Sequence, residues 1–258
     1  MFCSITFKNS GGGIKGFFQR LRGFCEIEKI SIGNSCFYHI IHHCKAGKIN
    51  WRRLEKAAGG HKCVLQTGIN LPKTCKIKLF DTANYQSVSI IALFIRLLKN
   101  SPKKTVGLFD ENGKLMRTAA ALLPLCAQLI VYTKAPEKYE SFCEDARDIL
   151  GTAPIVTSAK GMVSGVSALL SPLGGDYFEF SPLVPVFGVG NKDEYHISDE
   201  CLELPEDIES LKPAAISSLD FLAAATEGCG LHFQIAEHVK SLCKNGGVTS
   251  LLGMYYFS

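Results

Sequence analysis

The sequence predicts an α/β protein: a parallel-sheet domain preceded by a small α+β domain and closed by C-terminal helices. Three observations predict it. Between Lys104 and Ser158, apolar runs of strand length alternate with helical patterns, the order expected of βαβ units and a parallel sheet. Residues 1–84 carry shorter apolar runs broken by glycine-rich turns. Past Pro205 the chain turns to helical segments, Ala214–Gly228 and Leu231–Asn245, separated by Gly228-Cys229-Gly230. The expected division is a small α+β domain over 1–84, a linking helix over 85–103, the α/β domain over 104–210 and closing helices over 211–258.

In the first part, Phe2–Lys8 is expected to be a strand, and Asn9-Ser-Gly-Gly-Gly13 a turn. Phe17–Cys25, with Arg20 and Arg22 among aromatics, predicts a short helix, and Glu26–Ile32 alternates as a strand does. Cys36–Cys44 fits helix and strand equally. Asn50 is placed to cap a helix over Trp51–Ala58 that Gly59-Gly60 would stop. Cys63–Thr67 and Cys75–Phe80 suit strands around the turn Gly68–Pro72.

Tyr85–Asn100 predicts a helix apolar around most of its girth, through Ile90, Ile91, Phe94, Ile95, Leu97 and Leu98, which implies burial between two bodies. Asn100–Lys104 breaks it. Then follow a strand (105–110), a turn (111–114), a helix (Leu115–Cys126), a strand (Gln128–Thr133), a helix (Pro136–Leu150) and a strand (Pro154–Thr157). Tyr177–Phe180 and Leu183–Val189 are further strands, with Pro182 and Pro185 arguing for edges. Glu203–Leu211 suits a short helix, and Gly246-Gly247 the end of the last one.

Hydrophobic residues make up 47% and charged residues 20% of the 258, enough to bury a core and too apolar for disorder. A net charge of +4 leaves room for anionic ligands but lacks the dense basic footprint of nucleic-acid binding. The 11 cysteines include no Cys-x-x-Cys, which argues for reduced thiols rather than a disulfide framework or zinc ribbon. No apolar run reaches the ~18 residues of a membrane span, and no signal-peptide pattern opens the chain. The expectation is a cytoplasmic protein with a small-molecule ligand, no nucleic acid or membrane partner, and homo-oligomerisation open to it.

This order of elements, over residues 85–245, resembles the two-domain dehydrogenases of the shikimate and methylene-tetrahydrofolate type, whose second domain is a Rossmann NAD(P)-binding fold. The resemblance implies a Rossmann-like sheet, NAD or NADP as cofactor, and a substrate held in the interdomain cleft. Gly68-Ile-Asn-Leu-Pro-Lys73 resembles the Asn-Val-Thr-x-Pro-x-Lys motif of shikimate dehydrogenases in Asn70, Pro72 and Lys73, without the threonine and with compressed spacing. In that family the lysine takes part in proton transfer, which makes Lys73 the implied catalytic group and Asp81 the nearest acid to partner it.

The Rossmann fingerprint G-x-G-x-x-G lets the backbone approach a pyrophosphate at a helix N-terminus. Here Asp110, Asn112 and Leu115 stand at the three glycine positions, and Gly113 is out of register. Asp110 and Glu111 put negative charge where the pyrophosphate would sit, offset in part by Lys114. The cofactor-binding candidates are Asp110, Asn112, Gly113 and Lys114 at this turn, Thr133 and Lys134 after the second strand (a hydroxyl and a cation suited to a 2′-phosphate), and Thr157 and Ser158 after the third. Lys160 and Gly161 follow beside the same edge, and Ser164 and Ser167 would lie one helical turn apart if that stretch is helical.

Three other groupings have ordinary explanations. His39, His42, His43 and Cys44 are metal-ligand types without a recognised spacing, so no metal site is assigned. Cys229 with His232 and His238 is a conceivable nucleophile pair, but a buried thiol at a helix break explains it. Phe17, Phe18, Arg20, Arg22 and Phe24 are too few for a nucleic-acid surface and suit a half-buried helix. Two functions lead, an NAD(P)-dependent dehydrogenase or reductase of a small polar metabolite and a non-catalytic Rossmann-like ligand sensor or assembly component, with a metal protein using the His39–Cys44 cluster behind both. The altered glycine loop favours the second, the two-domain layout the first.

Overall fold

The computed structural model describes residues 1–9, 24–44, 48–158, 162–163, 165–174, 179–181, 183–189 and 193–254. The turn expected at 9–13, the helix at 17–25 with Arg20 and Arg22, and Lys160, Gly161 and Ser164 lie wholly or largely outside them. The protein is α/β, with two parallel-rich sheets in two compact units. One unit is Met1–Thr82 with Leu204–Phe233; the other is Ala83–Glu203 with Gln234–Ser258.

The first unit opens with β1 (Cys3–Asn9), β2 (Cys25–Ile32) and β3 (Ser35–Cys44), then α1 (Trp51–Ala58), β4 (Lys62–Leu65) and β5 (Lys78–Leu79). Its sheet runs β2-β3-β1-β4-β5, with β2 antiparallel to β3 and the rest parallel. The segment 36–44 is therefore strand. Asn50 caps α1 by accepting from the Arg53 N–H at 3.2 Å, and Gly59 ends it in the left-handed region at φ 58°. Leu54 and Ala58 of α1 pack with Ile5, Ile40 and Cys63 of the sheet in one buried cluster.

The second unit begins at Ala83, within α2 (Thr82–Lys99), which is followed by β6 (Thr105–Phe109), α3 (Met116–Leu122), β7 (Gln128–Tyr132), α4 (Glu140–Leu150) and β8 (Ile155–Thr157). Then come β9 (Met162–Val163), β10 (Ala168–Ser171), β11 (Glu179–Phe180) and β12 (Val186–Gly188). The main sheet is parallel throughout in the order β12-β10-β6-β7-β8. Counted along the chain this is 3-2-1-4-5, the strand order of the Rossmann fold. Chain direction changes side between β6 and β10, so the carboxyl end of β6 lies at the switch point where such sheets take ligands.

The helix α2 is less uniformly buried than its composition predicts. Ile90, Leu93, Phe94 and Leu97 are buried with Ser87 and Ser89, while Val88 is exposed and Ile91, Ile95 and Leu98 are half-buried. Serines reach the buried face because each hydroxyl donates to a carbonyl one turn back, Ser87 to Ala83 at 2.9 Å and Ser89 to Tyr85 at 2.7 Å.

The chain next forms α5 (Glu206–Glu209) and α6 (Ser218–Cys229) in the first unit, then returns as α7 (Ile235–His238), β13 (Ser241–Lys244), β14 (Gly247–Ser250) and α8 (Leu251–Met254). The helix expected over 231–245 is thus replaced by one helical turn and a hairpin. Lys244 faces Gly247 across a two-residue loop in which Asn245 has φ 52° and Gly246 φ 75°. Asn-Gly is the strongest short hairpin signal because both residues tolerate positive φ. Among the described residues no helix is long and apolar enough to cross a membrane.

Candidate functional site

The carboxyl edge of the Rossmann-like sheet is built from the ends of β6, β7 and β8. Backbone bonds tie them together: Asp110 N–H to the Tyr132 carbonyl at 2.9 Å, Thr133 N–H to Thr157 at 3.0 Å, and Lys134 N–H to Glu111 at 3.1 Å. The candidates Asp110, Asn112, Gly113, Lys114, Thr133, Lys134 and Thr157, with Ser158 next in the chain, are therefore one contiguous edge. Lys73 and Asp81 belong to the other unit, where both are exposed.

Asp110 is only 1% exposed. One carboxylate oxygen accepts the Lys114 N–H at 2.9 Å, and the other accepts the Leu115 N–H at 2.7 Å and the Tyr139 hydroxyl at 2.6 Å. A carboxylate accepting from backbone amides and a hydroxyl is a strong, charge-assisted arrangement. Here it holds the turn that enters α3, a helix with no side-chain cap of its own. Its occupied amides are the kind of donor that a pyrophosphate uses in the Rossmann turn.

The rest of the turn is also taken up by the protein itself. Gly113 has φ 67°, a conformation that favours glycine. A β-carbon there would meet the Lys138 side chain, whose Cδ lies 2.6 Å from the position. Lys138 Nζ donates to the Asn112 carbonyl at 2.7 Å, and Lys134 Nζ pairs with the Glu111 carboxylate. Thr133 is fully buried, and its hydroxyl accepts the Ala135 N–H at 3.1 Å. Sequence reasoning placed Asp110, Glu111 and Lys134 at this edge but missed Tyr139 and Lys138. Pro136 starting a short turn of helix, followed three residues later by an aromatic hydroxyl, was the available signal for Tyr139.

Burial, followed by the hydrogen bond to the Asp110 carboxylate, pushes the Tyr139 pKa far above that of a free tyrosine. A raised folded-state pKa means the protonated hydroxyl is favoured by folding. Its contribution is intact below the unfolded value of about 10 and is lost as pH rises beyond it, by about 1.4 kcal/mol per pH unit. Tyr139→Phe is expected to be less stable than wild type at pH 8, with the gap closing above pH 10. Urea midpoints of both proteins from pH 8 to 11 check this; a gap independent of pH would refute it.

A second concave feature lies wholly in the first unit, at the carboxyl ends of β4 and β5. Gln66, Thr67, Gly68, Phe80, Thr82 and Asp220 are among the residues lining a crevice of about 260 Å3. Gln66, directly after β4, is tied twice to β1, its N–H donating to the Ile5 carbonyl at 2.9 Å and its side-chain oxygen accepting the Phe7 N–H at 2.8 Å. Gly68, one of the lining residues, turns the chain at φ 81°, a conformation that favours glycine. Asp81 sits in sequence between two wall residues, Phe80 and Thr82. Lys73 lies in the turn closed by Cys75 N–H to the Pro72 carbonyl at 2.9 Å.

The histidine group is spread by strand geometry. Alternation along β3 sends His39 and His43 to one face and His42 and Cys44 to the other. His39 Nε2 lies 2.8 Å from the Thr6 hydroxyl, His43 Nε2 lies 3.2 Å from Glu26, and His42 lies 3.3 Å from the Cys25 thiol. Burial lowers the pKa of His39 and His42. Among the described residues no three His, Cys, Asp or Glu side chains converge on a metal position. Cys229 is the last residue of α6, and its thiol contacts the Cys36 carbonyl at 3.4 Å.

No family model matches this sequence, and no curated protein matches it. Among solved structures, an L-tryptophan dehydrogenase from Nostoc punctiforme is similar over 91% of this chain and 77% of its own. The identity is 13% and the TM-score 0.35. The fold assignment rests on the strand order of the two sheets, not on this likeness.

Proposed function

We propose that this protein is a Rossmann-like binding protein for a small polar ligand, a sensor or assembly component that works without a dinucleotide. One observation carries the reading: the Asp110 carboxylate already fills the amides of the first strand–helix turn and is anchored from behind by Tyr139. A pyrophosphate there would have to displace a buried carboxylate from three hydrogen bonds. It would also bring like charges together, at about 4 kcal/mol for each unit-charge pair at 4 Å near a protein surface. The crevice of the first unit, with hydroxyl, amide and carboxylate groups around an apolar wall, offers the ligand site instead.

The dehydrogenase reading is favoured by the 3-2-1-4-5 strand order. In it, Asn112, Gly113 and Lys114 would meet the phosphates, Thr133, Lys134, Thr157 and Ser158 the ribose or a 2′-phosphate, and Lys73 with Asp81 the substrate. Calorimetric titration with NAD, NADP, NADH and NADPH separates the two, with the folding of the whole chain followed by far-UV circular dichroism. No micromolar binding is expected. Micromolar binding of any of the four, weakened by Gly113→Asp, would overturn the proposal in favour of the oxidoreductase.

A further inference from the structure

We propose that Cys201 and Cys243 are a reversible dithiol–disulfide pair that clasps the chain where it leaves and re-enters the second unit. The chain departs after Glu203 and returns at Gln234, so the two cysteines flank the excursion. Their sulfurs are 3.4 Å apart, and the Ser198 hydroxyl lies 3.0 Å from Cys243 Sγ and 3.4 Å from Cys201 Sγ. Both thiols are free and buried, Cys201 at 1% and Cys243 at 7% exposure.

The backbone holds the pair in place. Lys240 N–H donates to the Cys201 carbonyl at 3.0 Å, Glu203 N–H to the His238 carbonyl at 2.9 Å, and His196 and Cys243 exchange bonds at 3.0 and 2.9 Å. Leu202 pairs with Val239 in an antiparallel bridge, and Lys240 pairs with Glu203 at its edge. With both backbones fixed this closely, a bond needs the sulfurs to approach by about 1.4 Å, from 3.4 Å to a disulfide length near 2.0 Å. Modest side-chain rotation supplies such a movement.

A small disulfide of the oxidised-glutathione class, RSSR, is the oxidant. Cys243 is the more exposed of the two residues, so it is the thiol that an external disulfide reaches and it attacks first. Cys243 loses its proton and displaces RS⁻, forming a Cys243–SR mixed disulfide. The Cys201 thiolate then attacks the Cys243 sulfur and releases the second RS⁻. Two thiol protons and two electrons pass from the protein to RSSR, which leaves as two RSH, and reduction by a dithiol reverses both steps. Burial raises the Cys243 pKa, so exchange quickens on the alkaline side of neutrality.

The test is equilibration of the full-length protein at pH 8.5 in oxidised and reduced glutathione at stepped ratios, with acid quench, thiol alkylation and peptide mapping. A Cys201–Cys243 linked peptide is expected, reversed by dithiothreitol and absent from Cys201→Ala and Cys243→Ala. The linked form should have a urea midpoint higher by about 1 M, because the bond closes a long loop in the unfolded chain. The map of the wild-type protein stands even if a variant fails to fold. The proposal is overturned by no linked peptide at the most oxidising ratio, by Cys243 stopping as a glutathione mixed disulfide, or by Cys3–Cys63, neighbours across β1 and β4, linking in its place.

Discussion

Asp110→Ala is expected to cost the second unit about 3 kcal/mol, combining a lost turn cap with a buried hydroxyl left unpartnered. The Asp110 carboxylate is the shared acceptor for two backbone N–H groups and the Tyr139 hydroxyl. Tyr139 is fully buried and cannot turn to water for a replacement. Asp110→Asn should lose less: its carbonyl keeps one acceptor, while its amide group faces a donor. Asp110→Ala in a Tyr139→Phe background should cost less than in wild type, since the orphaned hydroxyl is gone. Hydrogen exchange of the β6 and β7 amides in increasing urea reads this unit directly. A loss below about 1 kcal/mol would mean that the carboxylate is a bystander to the turn.

Phe221→Ala is expected to destabilise the first unit by about 4 kcal/mol, the scale for truncating a fully buried phenylalanine. Phe221 comes from α6, more than 130 residues beyond the last strand of the sheet it covers. Its ring meets Phe37 at 5.5 Å and Phe2 at 6.0 Å, both edge-on, and Phe2 stacks on Phe37 at 4.8 Å. All three are fully buried, so truncation leaves a cavity as well as lost apolar contact. Trp51 packs against the core of the same unit, so its fluorescence in urea reports this unit. An unchanged tryptophan midpoint would show that the segment 204–233 contributes little to holding the unit together.

Much of the fold was legible because it is written in local pattern. The strands and helices from Thr105 to Thr157 follow from apolar runs of strand length between helical segments, and the α1 cap follows from Asn50 and Gly59. The parallel sheet follows from that alternation, since parallel neighbours need a crossover between them. Segment 36–44 could not be decided locally, because His39, His42 and His43 share a helical face as readily as they divide between two strand faces. Pairing with β1 and β2 decided it. The hairpin after Ser241 was legible in Asn245-Gly246, but the apolar spacing of 231–245 pointed to a longer helix.

At the edge of the sheet, residue types alone placed Asp110 at a glycine position of the dinucleotide-binding turn, with Glu111 beside it, and so raised the question of whether a pyrophosphate fits. They could not say what the carboxylate does. That depended on Tyr139, 29 residues away, being buried behind it. In the same way the sequence carried eleven cysteines without a spacing that paired any of them. The antiparallel bonding of 201–203 with 238–240, together with that of His196 with Cys243, brings Cys201 to Cys243. Local chemistry determines turns, caps and periodicity because those energies act within a few residues. The partner of a buried polar group or thiol is chosen by strands and helices meeting across the fold, where the cost of leaving such a group unpaired is felt only once water has been excluded.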